Sequence, residues 1–103
     1  ILPMALSDLG GGSEGDIPAQ RPFAAVLSCA DARVPVEMIF DQACNALFVT
    51  RVAGNVLASE CVGSLDYAVS HFPESLRLVV VLGHSGCGAV ASAVDTYLNP
   101  AQY

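Results

Sequence analysis

The stretch FAAVLSCADARV, residues 23–34, joins a run of apolar residues to three side chains that can do chemistry. Its first part, Phe23–Cys29, is a short apolar run without alternation, which predicts a strand buried on both faces. If extended geometry persists past this strand, Cys29, Asp31 and Arg33 project together, because side chains two residues apart share a face. The stretch therefore predicts a buried strand with a thiol, a carboxylate and a guanidinium at its carboxyl end.

Strands and helices alternate along the rest of the chain. Residues 46–52, ALFVTRV, predict a second strand, and LRLVVVLG, Leu76–Gly83, predicts a third strand that is also buried. Residues 59–72 predict a helix capped by Ser59, and the residues after His84 predict another helix. This alternation indicates an α/β fold with a parallel β-sheet core, flanking helices and right-handed crossovers.

The length and composition fit one domain that associates with another subunit. The run GGGSEG, residues 10–15, predicts a flexible linker. We therefore expect residues 1–19 to form a flexible N-terminal arm and residues 20–103 to form one α/β domain. Hydrophobic residues make up 53% of the 103 residues. This high fraction predicts a large apolar surface that another subunit covers.

Charge and hydropathy argue against two classes of partner. The formal net charge is −6, with four arginines and no lysine, so a phosphate backbone would repel the chain and we expect no nucleic-acid partner. We expect no membrane partner, because no apolar run approaches the ~20 residues that a membrane span needs. The start, ILPMALSDLG, lacks the basic region of a signal peptide. We therefore expect a cytoplasmic location, or a periplasmic one if a signal peptide has been removed.

A second group of reactive side chains follows the third predicted strand. The segment GHSGCGAV, residues 83–90, places His84 and Cys87 at the start of a helix. The carboxyl ends of parallel strands meet at one edge of a sheet, so these residues join Cys29 if the third strand lies beside the first. Two thiolates and one imidazole suit zinc in tetrahedral geometry, and three protein ligands leave one position open, as in catalytic sites.

Asp31 has two alternative roles beside such a metal. Its carboxylate can accept a hydrogen bond from a metal-bound water, or it can replace that water as a fourth ligand. Arg33 can hold Asp31 in a two-pronged ion pair, which would keep the carboxylate ionised and away from the metal.

The remaining thiols and the second histidine give no comparable pattern. We interpret Cys44 and Cys61 as core thiols and His71 as an imidazole on a helix surface.

The two motifs, CADARVP and GHSGCGAV, with LFVTRVAGN and GSLDYAV between them, resemble the β-class carbonic anhydrases. The resemblance covers nearly all of the predicted domain, although sequences of this family usually continue past the last helix. It implies that the zinc ligands are Cys29, His84 and Cys87. It also implies that Asp31 and Arg33 form the catalytic dyad.

The same resemblance implies a substrate, an assembly and three further site residues. The implied reaction is the reversible hydration of carbon dioxide to bicarbonate, and the implied assembly is a homodimer or tetramer with the site at the interface. Gln20 is expected to hydrogen-bond the substrate, and Phe48 and Tyr67 to line the pocket of the neighbouring subunit. Two alternatives stay open: a carbon disulfide hydrolase using the same site, and a non-catalytic α/β module stabilised by zinc.

Overall fold

The computed structural model describes residues 18–102. The arm predicted for residues 1–19 lies almost wholly outside the described residues and stays a prediction. Three strands and three helices alternate: β1 (Ala24–Ser28), α1 (Val36–Ile39), β2 (Leu47–Arg51), α2 (Ser59–His71), β3 (Leu78–Val81) and α3 (Gly88–Leu98). Short 3₁₀ turns cover Ala53–Asn55 and Pro100–Gln102.

The three strands form one parallel sheet in the order β2–β1–β3. In this register Val26 of β1 faces Val49 of β2 on one side and Val80 of β3 on the other. The predicted α/β class with a parallel core and flanking helices is confirmed. Because β1 and β3 are parallel neighbours, their carboxyl ends lie side by side, which is the condition that the sequence left open.

The central strand β1 is the core of the molecule. All five of its residues are buried, as the uninterrupted apolar run predicts. The strands on both sides form hydrogen bonds with the backbone of β1. Helix α2 packs on β1 and β2. Val26 and Val36 are among the largest side chains that are fully buried.

The prediction that β3 is buried is wrong for this chain. Leu78, Val79 and Val81 are each more than half exposed. Within residues 18–102, β3 pairs only with β1, so its other edge and much of its faces lack a covering element. The apolar side of α3 is also open to solvent, with Val94 and Leu98 exposed. In the described part of the chain, β3 and α3 therefore expose apolar side chains on this side of the sheet.

Helix α2 begins at Ser59 with Ala58 in the cap position, so the predicted cap by Ser59 is wrong. The helix buries Cys61 and Ala68, which makes Cys61 the expected core thiol. Cys44 is exposed instead of buried, because it lies in the turn that precedes β2. Among residues 18–102, no helix is both long enough and apolar enough to cross a membrane.

Candidate metal centre

The three predicted metal ligands meet at the carboxyl edge of the sheet. Cys29 follows β1 directly, while His84 and Cys87 lie in the turn between β3 and α3. Their donor atoms all lie within 4.8 Å of one another. Cys29 is buried and the other two are half-buried, so the cluster sits in a recess between two strand ends.

The geometry of this cluster fits zinc. A tetrahedral ion with Zn–S bonds of about 2.3 Å places two sulfur ligands about 3.8 Å apart. The Sγ atoms of Cys29 and Cys87 are separated by 3.8 Å. His84 Nε2 is buried and has no hydrogen-bond partner among the described residues. Its Nδ1–H donates to the Ser85 carbonyl at 2.9 Å, which leaves the Nε2 lone pair available to a metal.

The cluster also favours the ligand form of Cys29. The Gly54 N–H donates to Cys29 Sγ at 3.3 Å. This hydrogen bond, followed by the influence of His84, lowers the pKa of Cys29 to about 6. The nearby Cys29 sulfur, followed by the Ser85 carbonyl, raises the pKa of His84. The lowered pKa of Cys29 favours its thiolate, the form that binds a metal.

Asp31 and Arg33 form the two-pronged pair that the sequence suggested. Asp31 Oδ1 accepts from Arg33 N at 2.8 Å and from Arg33 Nε at 2.9 Å, and Oδ2 accepts from Nη2 at 2.6 Å. Arg33 Nη2 also donates to the Gly86 carbonyl at 3.0 Å, which ties the pair to the turn carrying His84 and Cys87. These Arg33 hydrogen bonds hold the pKa of Asp31 well below its usual range.

The position of Asp31 bears on its two alternative roles. Its Oδ2 lies 3.9 Å from His84 Nε2, one of the three ligand atoms. Arg33 engages both carboxylate oxygens. This arrangement favours Asp31 as a hydrogen-bond acceptor near the metal over Asp31 as a fourth ligand.

Sequence reasoning missed Arg51, which shapes the Cys29–Asp31 segment from the neighbouring strand. Arg51 Nε donates to the Cys29 carbonyl at 2.8 Å, and Nη2 donates to the Asp31 carbonyl at 2.6 Å. The available signal was a charged residue at the end of a mostly apolar strand. Arg51 reaches these carbonyls because it pairs in register with Ser28. That pairing is known only from the tertiary structure.

The predicted substrate contacts lie away from the metal cluster of the same chain. Phe48 pairs in register with Ala25, and its ring stacks against Tyr67 with centroids 5.9 Å apart. Gln20 precedes β1 and lines a cavity of about 320 Å³ at the amino edge of the sheet. Because a five-residue strand spans roughly 17 Å, Gln20 and Cys29 lie at opposite ends of β1, Gln20 at its amino end and Cys29 at its carboxyl end. His71 is exposed at the end of α2, as predicted.

A family model described as carbonic anhydrase matches residues 24–102. Carbonic anhydrase 2 of Mycobacterium tuberculosis is 48% identical over 75 residues, which cover 73% of this chain and 35% of the relative. The chain therefore spans about a third of the length of this curated relative.

Solved structures give the same match at the level of the fold. The Coccomyxa beta-carbonic anhydrase, solved with acetazolamide, superposes with a TM-score of 0.68 at 32% identity, covering 74% of this chain and 35% of the other. A tetrameric beta-carbonic anhydrase from Sordaria macrospora superposes with a TM-score of 0.70 at 28% identity, covering 93% and 50%.

Proposed function

The chain belongs to the β-class carbonic anhydrase family, and on this premise we propose that it hydrates carbon dioxide reversibly to bicarbonate and a proton. The observation that supports the proposal most is the convergence of two sulfurs and one imidazole nitrogen within 4.8 Å. The Asp31 carboxylate lies 3.9 Å from the imidazole nitrogen of this group. This combination suits a metal-assisted attack of water on a small electrophile.

In this proposal Cys29 Sγ, His84 Nε2 and Cys87 Sγ hold the zinc. When bound, the zinc supplies Lewis acidity that makes water nucleophilic near neutral pH. The protein contributes a preset geometry: Ser85 fixes the imidazole tautomer, and Gly54 favours the Cys29 thiolate.

Asp31 orients the attacking water through Oδ2. Asp31 Oδ1 already accepts two hydrogen bonds from Arg33, whereas Oδ2 accepts one from the same side chain, so Oδ2 keeps acceptor capacity. Arg33 holds the pKa of Asp31 far below its usual range, so the carboxylate is too weak a base to take up the released proton. It accepts a hydrogen bond from the water and leaves the released proton to solvent or buffer.

We further propose that a second copy of the chain completes the pocket, in a homodimer or a tetramer. Gln20, Phe48 and Tyr67 lie toward the sheet edge opposite the metal cluster of their own chain. Exposed apolar side chains on β3 and α3 leave surface for association. The Sordaria macrospora relative, described as tetrameric, adds support from a structure of the same fold.

Stopped-flow measurement of carbon dioxide hydration by the zinc-loaded chain tests the proposal. We expect catalysis by the native chain and a rate about 10- to 100-fold lower for Asp31→Asn with its zinc retained. We also expect specific activity to rise with chain concentration if two copies form the pocket. Bound zinc without hydration would favour the non-catalytic module, and sulfide release from carbon disulfide would favour the hydrolase alternative.

A further inference from the structure

One short turn touches the chain segments that carry all three proposed ligands. This turn, Val52–Asn55, follows β2. Val52 N–H donates to the Ser28 carbonyl at 3.1 Å, and Gly54 N–H donates to Cys29 Sγ at 3.3 Å. On the other side, Asn55 Nδ2 donates to the carbonyl of Leu82 at 2.7 Å. The turn thus bridges the carboxyl ends of β1 and β3.

We propose that Asn55 is a positioning residue of the metal centre, and that the Gly54–Asn55 turn sets the spacing between Cys29 and the ligands that follow β3. The inference rests on the proposed zinc site and deepens it. Neither residue is assigned as a metal ligand. They act by fixing the backbone points from which the ligands extend.

Asn55 holds the last fixed point before His84. Leu82 is the first residue past β3, and its N–H still donates to the Leu27 carbonyl at 2.9 Å. Its carbonyl accepts the Asn55 side chain instead of continuing as a free strand end. His84 lies two residues further on. The chain therefore reaches His84 from Leu82, whose backbone is hydrogen-bonded both to β1 and to the Val52–Asn55 turn.

The conformation of Asn55 explains why an asparagine serves here. Its φ is 58°, in the left-handed region that asparagine tolerates better than most residues. This conformation follows Gly54, whose φ is 75°. The two consecutive left-handed residues turn the chain sharply, so that the Gly54 N–H meets the Cys29 sulfur while the Asn55 amide reaches β3.

The same turn also sets how closely α3 approaches. A Cβ built on Gly54 would lie 3.3 Å from Ala89 Cβ, closer than side-chain carbons normally approach. Ala89 is the second residue of α3 and lies two residues after Cys87. The absent side chain at Gly54 therefore lets the start of α3, and with it Cys87, come close to the end of β1.

Two substitutions separate positioning from simple stabilisation. Asn55→Gly keeps access to the left-handed backbone and removes the amide donor. Asn55→Asp keeps the shape of the side chain and replaces the donor with a second oxygen, which repels the Leu82 carbonyl. The matched control is Asn45→Gly: Asn45 has a φ of 72°, and its Nδ2 donates to the Ala19 carbonyl at 3.0 Å at the other edge of the sheet.

The readouts are the zinc dissociation constant, from competition with a chelator, and the absorption spectrum of the cobalt(II)-substituted chain. We expect both Asn55 variants to bind zinc about 10- to 100-fold more weakly, as changes around metal ligands commonly do. Their cobalt spectra should also differ from that of the native chain, because ligand spacing changes. Asn45→Gly should leave the zinc affinity and the cobalt spectrum unchanged.

The outcomes distinguish this inference from the proposed function. Native zinc affinity and a native cobalt spectrum in both Asn55 variants would overturn the positioning role and leave the zinc site intact. A native chain that binds no zinc would overturn both. Circular dichroism monitors the fold: Asn55→Asp decides the question if Asn55→Gly does not fold, and unfolding of both would assign Asn55 a purely structural role and overturn the inference.

Discussion

The strands β1 and β3 are both mainly apolar in sequence but differ in burial. Every residue of β1 is buried, whereas Leu78, Val79 and Val81 of β3 are each more than half exposed. The difference arises from position, because within residues 18–102 β1 has a strand on each side and β3 has a strand on one side only. Hydrophobicity therefore indicates that a strand belongs in an interior, and the neighbours decide whether this chain alone provides that interior.

The three candidate metal ligands follow these two strands, which differ in burial. Cys29 extends from the buried strand, is 2% exposed, and is held by contacts from Arg51 and Gly54. His84 and Cys87 follow the exposed strand and are half-buried. One half of the site thus extends from the core, and the other half follows the exposed strand β3, where Asn55 Nδ2 donates to the Leu82 carbonyl.

Loss of a thiol ligand is the largest effect we expect, and it distinguishes the two halves. Cys87→Ser should lose zinc with its fold retained, because Cys87 lies in the half-exposed turn. Cys29→Ser should lose zinc and also lower the free energy of unfolding, because it places a hydroxyl in the buried end of β1. For both variants zinc affinity should fall by more than about 100-fold, the largest loss that is usual when a residue supporting a metal ligand is replaced.

Elemental analysis of purified chains and urea unfolding check this prediction, with Cys44→Ser as the matched control. Cys44 is an exposed thiol outside the cluster, so its variant should keep about one zinc per chain. Retention of zinc by Cys87→Ser would remove that residue from the ligand set. Equal unfolding free energies for metal-free Cys29→Ser and Cys87→Ser would contradict the contrast between the two halves.

Much of the fold was predictable because it depends on local patterns. The apolar run Phe23–Cys29 predicted β1, which the structure places at Ala24–Ser28. The motif GHSGCGAV predicted a turn and helix after β3, and α3 begins at Gly88. The ligand types also follow from the motifs, because thiols and an imidazole at two neighbouring strand ends have few other uses in combination.

The features that were not predicted depend on tertiary contacts. Arg51 and Asn55 act on backbone carbonyls, and every residue carries a carbonyl, so no sequence pattern marks the acceptor. The exposure of Val81 depends on strand order, which periodicity does not determine. Cys44 has the same side chain as Cys61 and differs from it only in lying in a turn.

The same substitution in each strand measures the burial contrast directly. Val26 is 0% exposed and Val81 is 69% exposed. Val26→Ala should reduce the free energy of unfolding by about 2 kcal/mol, since it removes two buried methyl groups and leaves a cavity. Val81→Ala should change it by less than about 0.5 kcal/mol in the isolated chain.

Urea denaturation of both variants at several chain concentrations tests the contrast and its cause. A cost for Val81→Ala that grows with concentration toward that of Val26→Ala would mean that a second copy covers β3 in solution. An equal cost at the lowest concentration would contradict the exposure of β3 in the single chain.

Acidification should affect the two halves of the site in sequence. The pKa of Cys29 is lowered to about 6, mainly by the Gly54 N–H, and the pKa of His84 is raised, mainly by Cys29. A ligand must lose its proton to bind zinc, so affinity falls as pH decreases, by about tenfold per unit for each protonated ligand. His84, which follows the exposed strand, therefore takes up a proton before Cys29 does. The slope of zinc affinity against pH steepens by about one proton below pH 6, where Cys29 is protonated as well.

In the metal-free chain, the ultraviolet absorbance of the thiolate should show a step near pH 6 that Cys29→Ser lacks. A step only in the ordinary thiol range would mean that the Gly54 hydrogen bond does not preset the buried half of the site.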